Sequence, residues 1–112
     1  MSDAYEDLME YIEDGEVIEA IVFGQYGWGG YGEPEPNPVP HELFGKVLSI
    51  DEAKKYMNNW SFYTGYGAPD CYAVNIYTDK RVIWVTQYDG ATGLDSMPRH
   101  PKEGVIPDMP GG

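Results

Sequence analysis

The chain has 112 residues, enough for a single modest core, and we predict that residues 1–112 form one domain. Nineteen acidic residues against seven basic residues give a formal net charge of −12. This charge disfavours direct binding to nucleic acid or to an anionic membrane, because both would repel the chain at long range. It favours solubility in its own right, and it also favours a basic partner.

The single cysteine excludes an internal disulfide and is typical of a reducing compartment. The first residues, MSDAYEDL, contain neither a basic stretch nor an apolar stretch, so they lack the pattern of a signal peptide. No apolar run approaches the roughly twenty residues that a membrane-spanning helix needs. These features predict a cytoplasmic protein that does not enter a membrane.

The first predicted element is an amphipathic helix over residues 2–14, with a capping box formed by Asp3 and Glu6. Its apolar stripe is Tyr5, Leu8, Met9 and Ile12. Its opposite side is predicted to be an exposed acidic face, whose members are Glu6, Asp7, Glu10, Glu13 and Asp14. Glu16 and Glu19 add further negative charge directly after the helix. This face is either a solvated surface or a partner-binding stripe.

An apolar run at residues 17–23, VIEAIVF, predicts a buried strand. Residues 24–45 are predicted to form a long irregular loop rich in glycine, tyrosine and proline, because alternating prolines exclude a helix. A loop of this length in a small domain is usually functional or disordered. The aromatic residues Tyr26, Trp28 and Tyr31 argue against plain disorder. They make the loop either a contact surface or a segment that packs on its own domain.

Residues 27–32 of this loop match the letters of the dinucleotide-binding pattern G-x-G-x-x-G. That pattern holds a pyrophosphate only when a helix begins directly after it. Here the residues that follow are Glu-Pro-Glu-Pro, which do not begin a helix and would place two acids against a phosphate. We therefore expect no nucleotide site and no cofactor.

A second helix is predicted over residues 47–58, where Ser49 and Glu52 have capping-box spacing. Residues 60–63, WSFY, suggest a short strand. Residues 71–90 carry the strongest pattern in the chain, two runs of alternating β-branched and aromatic residues joined by a short polar turn. This pattern indicates a β-hairpin.

The segment after Gly90 has no periodicity, so we expect it to be irregular, with a flexible tail at residues 102–112. Together the elements predict an α+β fold. The predicted fold is a small, largely antiparallel sheet of three or four strands with two helices on one face and a long Gly/Tyr/Pro-rich loop.

Candidate catalytic residues are few. A thiol–imidazole pair would need Cys71 with His41 or His100, but both histidines lie beside prolines in predicted loops. Cys71 opens a predicted strand, where a small buried residue is common. The same three side chains are too scattered for metal-ligand spacing. We therefore expect neither a metal site nor an enzymatic activity.

The stretch at residues 65–101, which begins GYGAPDCY and continues through QYDG to PRHP, resembles a family of small, uncharacterised proteins of tailed-phage and prophage genomes. The shared pattern is a Gly-Tyr-Gly-x-Pro-Asp-Cys-Tyr lead-in, a hairpin, then Gln-Tyr-Asp-Gly and Pro-Arg. The loop at residues 27–34 fits the same pattern. The resemblance implies a phage accessory protein that meets host machinery, and it transfers no catalytic or binding residue.

These observations predict a non-enzymatic phage or prophage accessory protein that binds a host protein with a basic surface. One specific form is an anti-CRISPR-like inhibitor of a nucleic-acid-handling defence complex, in which carboxylates occupy the positions of phosphates. The predicted partner-binding residues are Glu6, Asp7, Glu10, Glu13, Asp14, Trp28 and Tyr31. The alternative is a virion structural or assembly protein that self-associates through a sheet edge or the Pro-rich loop. The oligomeric state stays open.

Overall fold

The computed structural model describes residues 3–88 and 90–99. The described residues form two short α-helices, five strands and two 3₁₀ turns. In chain order the helices and strands are α1 (Ala4–Tyr11), β1 (Ile18–Tyr26), α2 (Ile50–Ala53), β2 (Gly65–Tyr66), β3 (Tyr72–Thr78), β4 (Arg81–Tyr88) and β5 (Ala91–Pro98). The 3₁₀ turns are His41–Leu43 and Lys54–Tyr56.

The strands form one antiparallel sheet in the order β1-β3-β4-β5-β2. This arrangement confirms the predicted α+β class with a largely antiparallel sheet. The described part of the sheet has five strands rather than three or four. The additional strands are β5 and the two-residue β2, which lie in segments without a clear strand pattern.

The predicted hairpin is confirmed, and β3 and β4 form the centre of the sheet. Side chains alternate along β3 between buried and exposed positions. The buried set is Tyr72, Val74 and Ile76, and the exposed set is Ala73, Asn75 and Tyr77. On β4, Ile83 lies on the buried side, so Trp84 points to the other side. We call the buried side the core face and the opposite side the open face.

Helix α1 begins where the sequence predicts and ends earlier. The backbone N–H of Glu6 donates to Asp3 Oδ1 at 2.9 Å, and the N–H of Asp3 donates to Glu6 Oε1 at 3.2 Å, which completes the capping box. The helix ends at Tyr11 because Ile12 is extended, with a ψ of 133°. Leu8 from this helix is fully buried against the core face.

The second predicted helix is shorter than residues 47–58. The capping box of Ser49 and Glu52 is present, but α-helix extends only over Ile50–Ala53 before the chain tightens into a 3₁₀ turn. The predicted strand at residues 60–63 is absent, since these residues have no strand pairing in the described sheet. Instead, Trp60 inserts into the core, where its ring lies edge-on to Tyr72 at a centroid distance of 5.0 Å.

Strand β5 is the main departure from the sequence prediction of an irregular segment after Gly90. Ala91–Pro98 pairs with β4 along its whole length. Gly90, with a φ of 84°, allows the chain to reverse into this strand. Pairing with a formed neighbour overrides the weak strand preference of a segment that contains Gly93 and Asp95. The predicted flexible tail at residues 102–112 lies outside the described residues.

Strand β1 extends into the predicted loop at residues 24–45, as far as Tyr26. The outer edge of this strand is shielded, because the backbones of Ile21 and Leu48 exchange two hydrogen bonds of 2.8 and 2.9 Å. Along β5, the carboxylate of Asp95 accepts the backbone N–H of Ser96 at 2.8 Å. Proline 98 has no N–H to donate. Occupied amides, charge and proline all keep a strand edge from pairing with another chain.

Candidate functional site

The predicted acidic face of α1 is partly exposed. Glu6, Glu10, Glu13 and Asp14 are exposed, and no cation of residues 3–88 or 90–99 forms an ion pair with them. Glu6 is engaged in the capping box. The other three carboxylates surround the C-terminal end of α1, where the helix dipole disfavours negative charge. All three face solvent. The pKa of Arg81 is raised mainly by its hydrogen bond to Glu16, and the charge of Glu13 adds to this effect.

Asp7 does not belong to the exposed face, and this part of the prediction is wrong. Its side chain is only 2% exposed. Asp7 Oδ2 accepts the hydroxyl of Ser61 at 2.6 Å and the backbone N–H of Phe62 at 3.0 Å. The segment around Trp60 packs along this side of the helix. The carbonyl of Trp60 accepts the backbone N–H of Ala4 at 2.6 Å. The buried side of α1 is therefore wider than its apolar stripe.

Glu16 and Glu19 are both neutralised by arginines. The side chain of Glu16 is fully enclosed and receives Arg81 Nε at 2.8 Å, Arg81 Nη2 at 2.9 Å and the Thr78 hydroxyl at 2.6 Å. The hydrogen bonds from Arg81 lower the pKa of Glu16 to about 2, against the opposing effect of burial. Glu19 pairs with Arg99. These contacts make Glu16 a structural group that no partner can reach.

The glycine-rich loop after β1 is anchored to the segment that precedes β3. The N–H of Gly27 donates to the carbonyl of Cys71 at 2.8 Å. Gly27 has a φ of +54°, and a Cβ here would lie 2.8 Å from the carbonyl oxygen of Pro69, so a larger residue would force the loop apart. Trp28 and Tyr31 are 65% and 89% exposed. The loop thus presents both predicted aromatic residues to solvent.

The open face carries aromatic and small uncharged side chains. Cross-strand neighbours form two rows across the sheet, Val22–Asn75–Trp84–Asp95 and Ala20–Tyr77–Val82–Met97. Asp95 is the one charged residue of these rows. Tyr77 and Met97 are exposed, and Trp84 is half-buried. Aromatic and methionine side chains with little charge are typical of the core of a protein–protein interface.

The predicted acidic and aromatic residues do not form one surface. Trp28 lines a cleft together with Ala73 and Thr86, whose side chains alternate onto the open face. Helix α1 packs its Leu8 against the core face. Trp28 instead lines this cleft, and an adjoining cleft that shares Ala73 reaches Trp84, which sequence reasoning did not include among the site residues. The alternation of Trp84 with the buried Ile83 along β4 was the sequence signal for Trp84.

A polar cluster joins the Pro-rich loop to the core. Glu33 Oε2 accepts the hydroxyl of Tyr72 at 2.5 Å, and His41 Nε2 lies 2.7 Å from Glu33 Oε1. Burial, and then the hydrogen bond to Glu33, raise the pKa of Tyr72. The ring of His41 also stacks on Phe44 at a centroid distance of 4.9 Å. The position of His41 is therefore defined by a carboxylate and an aromatic ring that the sequence spacing does not reveal.

We expect Tyr72→Phe to lower the free energy of unfolding by about 1–2 kcal/mol, because Glu33 loses a buried donor while the ring packing is kept. The measurement is urea denaturation at neutral pH. The matched control is Tyr66→Phe, since Tyr66 is 81% exposed and we expect no change there. Equal stability of Tyr72→Phe and wild type would show that this cluster does not hold the loop.

Thiol chemistry is disfavoured at Cys71. The residue is 1% exposed, and burial, followed by the charge of Asp70, raises the pKa of its thiol to about 12. A protonated, enclosed thiol is a poor nucleophile. His100 lies outside the described residues. Over residues 3–88 and 90–99, no three His, Cys, Asp or Glu side chains converge as metal ligands, and no helix is long and apolar enough to cross a membrane.

The fold and these surfaces define a small α+β protein with an aromatic open sheet face and a separate acidic helix. Comparisons of the chain with models of known protein families, with curated proteins and with solved structures find no match. The phage-family resemblance at residues 65–101 therefore stays a prediction. The functional conclusion depends on the chemistry of the surfaces themselves.

Proposed function

We propose that this chain is a non-enzymatic phage or prophage accessory protein that binds a host protein with a basic surface in the host cytoplasm. One specific form of the proposal is inhibition of a nucleic-acid-handling defence complex, such as a CRISPR effector. The cationic channel of such a complex would receive carboxylates in place of phosphates. The observation that carries the proposal is the composition of the open face.

The open face has the chemistry of a contact surface. Charged residues make up 23% of the chain, yet the two central rows of this face contain one, Asp95. The same rows present Tyr77, Trp84 and Met97. Covering apolar surface contributes about 25 cal/mol per Å². Binding of a partner that covers these side chains would therefore be favourable, because few charges must be desolvated.

The acidic residues of α1 support a basic partner. Glu10, Glu13 and Asp14 are exposed without an ion-pairing cation in the described part of the chain. With the net charge of −12, they create a negative potential that accelerates encounter with a basic protein. Helix and open face lie on opposite sides of the sheet. We therefore assign the helix to electrostatic attraction and the open face to close contact.

Self-association, the basis of the assembly alternative, has less support. Backbone pairing with Leu48 shields the β1 edge. On the other side the edge strand β2 has only two residues, and Asp95 and Pro98 protect the part of β5 that β2 does not cover. Two copies with a net charge of −12 each would also repel one another. These features favour a partner of opposite charge over a second copy.

Reversal of three exposed acids is expected to abolish capture of a basic host partner. In the variant Glu10→Lys/Glu13→Lys/Asp14→Lys, the lysines lie near the C-terminal end of α1, where positive charge suits the helix dipole, so we expect the helix to be retained. The measurement is affinity capture from host lysate with the tagged protein at low and high salt. We expect wild type to capture a basic nucleic-acid-binding complex at low salt and to release it at high salt.

The matched control is Glu35→Lys/Glu42→Lys/Asp51→Lys, which makes the same change of net charge at exposed positions away from α1. Capture by the control variant with loss in the α1 variant supports the proposal. Equal capture by the α1 variant and wild type would contradict the role of the helix. Salt-insensitive self-association as the sole product would overturn the proposal in favour of virion assembly.

A further inference from the structure

Strands β3 and β4 are paired over only part of their length. Their paired residues run from Tyr77–Val82 to Asn75–Trp84, whereas β4 stays paired with β5 as far as Tyr88. Past Asn75, the described residues of the two central strands diverge. The open face therefore has a gap in its middle.

Two adjoining clefts occupy this gap. One, of about 250 Å³, lies between Trp28 and Thr86, and the other, of about 280 Å³, reaches Trp84. Ala73 and Val85 line both, so the two clefts adjoin, and we call them together the Trp28–Trp84 groove. Gly24 and Ala73 pack closely in its lining, where a Cβ added at Gly24 would lie 3.4 Å from the Cβ of Ala73. The larger Phe23, Val74 and Val85 line it as well.

The charged residues that adjoin this groove along the chain and across the sheet are acidic. The described residues that line the two clefts carry no charge of either sign. At one end, the exposed Asp70 directly precedes Cys71, which lines the groove. At the other end, the exposed Asp95 is the cross-strand neighbour of Trp84. Cross-strand neighbours have Cβ atoms about 4.5–5.5 Å apart, so Asp95 lies next to Trp84 in the sheet.

We infer that the Trp28–Trp84 groove binds an extended cationic segment of the partner protein, rich in lysine or arginine. This inference rests on the proposed function, and it identifies the contact surface and the chemistry of the segment that the surface recognises.

Each part of the groove matches a part of such a segment. The indoles of Trp28 and Trp84 attract cations over their faces and pack against the aliphatic stems of lysine and arginine. Asp70 and Asp95 provide counter-charges for the ends of these side chains. The exposed amide of Asn75 faces the groove and offers both a donor and an acceptor to a peptide backbone. An acidic segment would be repelled, and a neutral one would leave both carboxylates unpaired.

The test uses the full chain labelled with ¹⁵N and a synthetic peptide of about nine residues that alternates basic residues with alanine, about 30 Å long when extended. The control peptide replaces each basic residue by glutamine. We expect the basic peptide to shift the indole N–H signals of Trp28 and Trp84 in a saturable manner. Trp60 is an internal control, because its buried indole donates to the carbonyl of Tyr56 at 2.7 Å.

Two variants locate the site. Trp84→Ala is expected to weaken peptide binding by about tenfold or more, as removal of a central tryptophan does in interfaces. Tyr66→Ala removes an exposed aromatic residue that lines neither cleft, and we expect unchanged affinity. Should Trp84→Ala fail to fold, Asp95→Lys tests the same end of the groove at an exposed position, with Asp51→Lys as its charge-matched control.

Several results would overturn the groove assignment. They are an absence of saturable shifts at both indoles, equal shifts with the glutamine peptide, or shifts confined to the acidic residues of α1. Loss of affinity in Tyr66→Ala equal to that in Trp84→Ala would have the same meaning. If the peptide does not bind while the basic host complex is still captured, the groove assignment fails and the proposed function stands. If the peptide binds but lysate yields no basic partner, the proposed function fails instead.

Discussion

Replacing Glu16 with glutamine is expected to lower the free energy of unfolding by about 3 kcal/mol. The carboxylate is fully enclosed and receives two nitrogens of Arg81 and the hydroxyl of Thr78. Glutamine keeps the shape of the side chain but removes its charge. The guanidinium of Arg81, whose side chain is 15% exposed, would then remain in the fold without its counter-charge. Such a loss is large because the remaining charge is still desolvated.

Urea unfolding of wild type and variant measures this loss, and Glu19→Gln is the matched control. The Glu19–Arg99 pair is 45% and 38% exposed, so its removal should cost less than about 1 kcal/mol. A loss in Glu16→Gln no larger than in Glu19→Gln would contradict the prediction. The double variant Glu16→Met/Arg81→Met should recover much of the stability, because an apolar pair needs no counter-charge.

The same comparison at falling pH should show the difference between wild type and Glu16→Gln shrinking. The pKa of Glu16 in the folded protein is about 2, below its ordinary value of 4.5. The unfolded chain therefore binds this proton at a higher pH than the folded chain does. The stabilisation is complete above about pH 4.5 and is lost as the pH falls towards 2. A shift of this size corresponds to about 3 kcal/mol, in agreement with the expected mutational loss.

Local signals in the sequence were sufficient for the parts of the fold that depend on neighbouring residues. The capping boxes that begin with Asp3 and Ser49 are both present, because each is closed within one turn of chain. The hairpin follows from alternation along β3 and β4, which depends only on the pleat of a strand. The helices nevertheless end earlier than predicted. Helix length depends on packing against the rest of the protein, which the residues of the helix alone do not determine.

Long-range contacts account for what sequence reasoning missed. Glu16 and Arg81 are far apart in the chain and meet only in the folded protein. The sequence alone therefore shows an acidic residue, whereas the structure shows a neutralised ion pair. Strand β5 forms because β4 is already in place beside it. The Trp28–Trp84 groove depends on the divergence of two strands, which alternation alone does not predict. The exposure of Glu10 and Glu13 could be predicted from the sequence, because it follows from the local helix pattern and depends on no distant contact.

For Asp7, a structural role and a partner-binding role predict opposite results of substitution. Its carboxylate is buried and accepts hydrogen bonds from the Ser61 hydroxyl and the Phe62 backbone. Asp7→Ala is expected to lower the free energy of unfolding by about 3 kcal/mol, since hydrogen bonds to a charged group contribute about 1.5–3 kcal/mol each and a buried N–H is left without an acceptor. Urea unfolding measures the loss, and faster hydrogen exchange at the Phe62 amide locates it.

Glu10→Ala on the same helix is the control, because this exposed carboxylate forms no ion pair with a cation of the described residues. We expect its stability to remain within about 0.5 kcal/mol of wild type. Asp7→Asn keeps one carbonyl oxygen as an acceptor for Phe62 and should therefore recover part of the loss in Asp7→Ala. A partner-binding Asp7 would behave in the reverse way. In that case Asp7→Ala would unfold at the wild-type urea concentration and would fail to capture the basic partner.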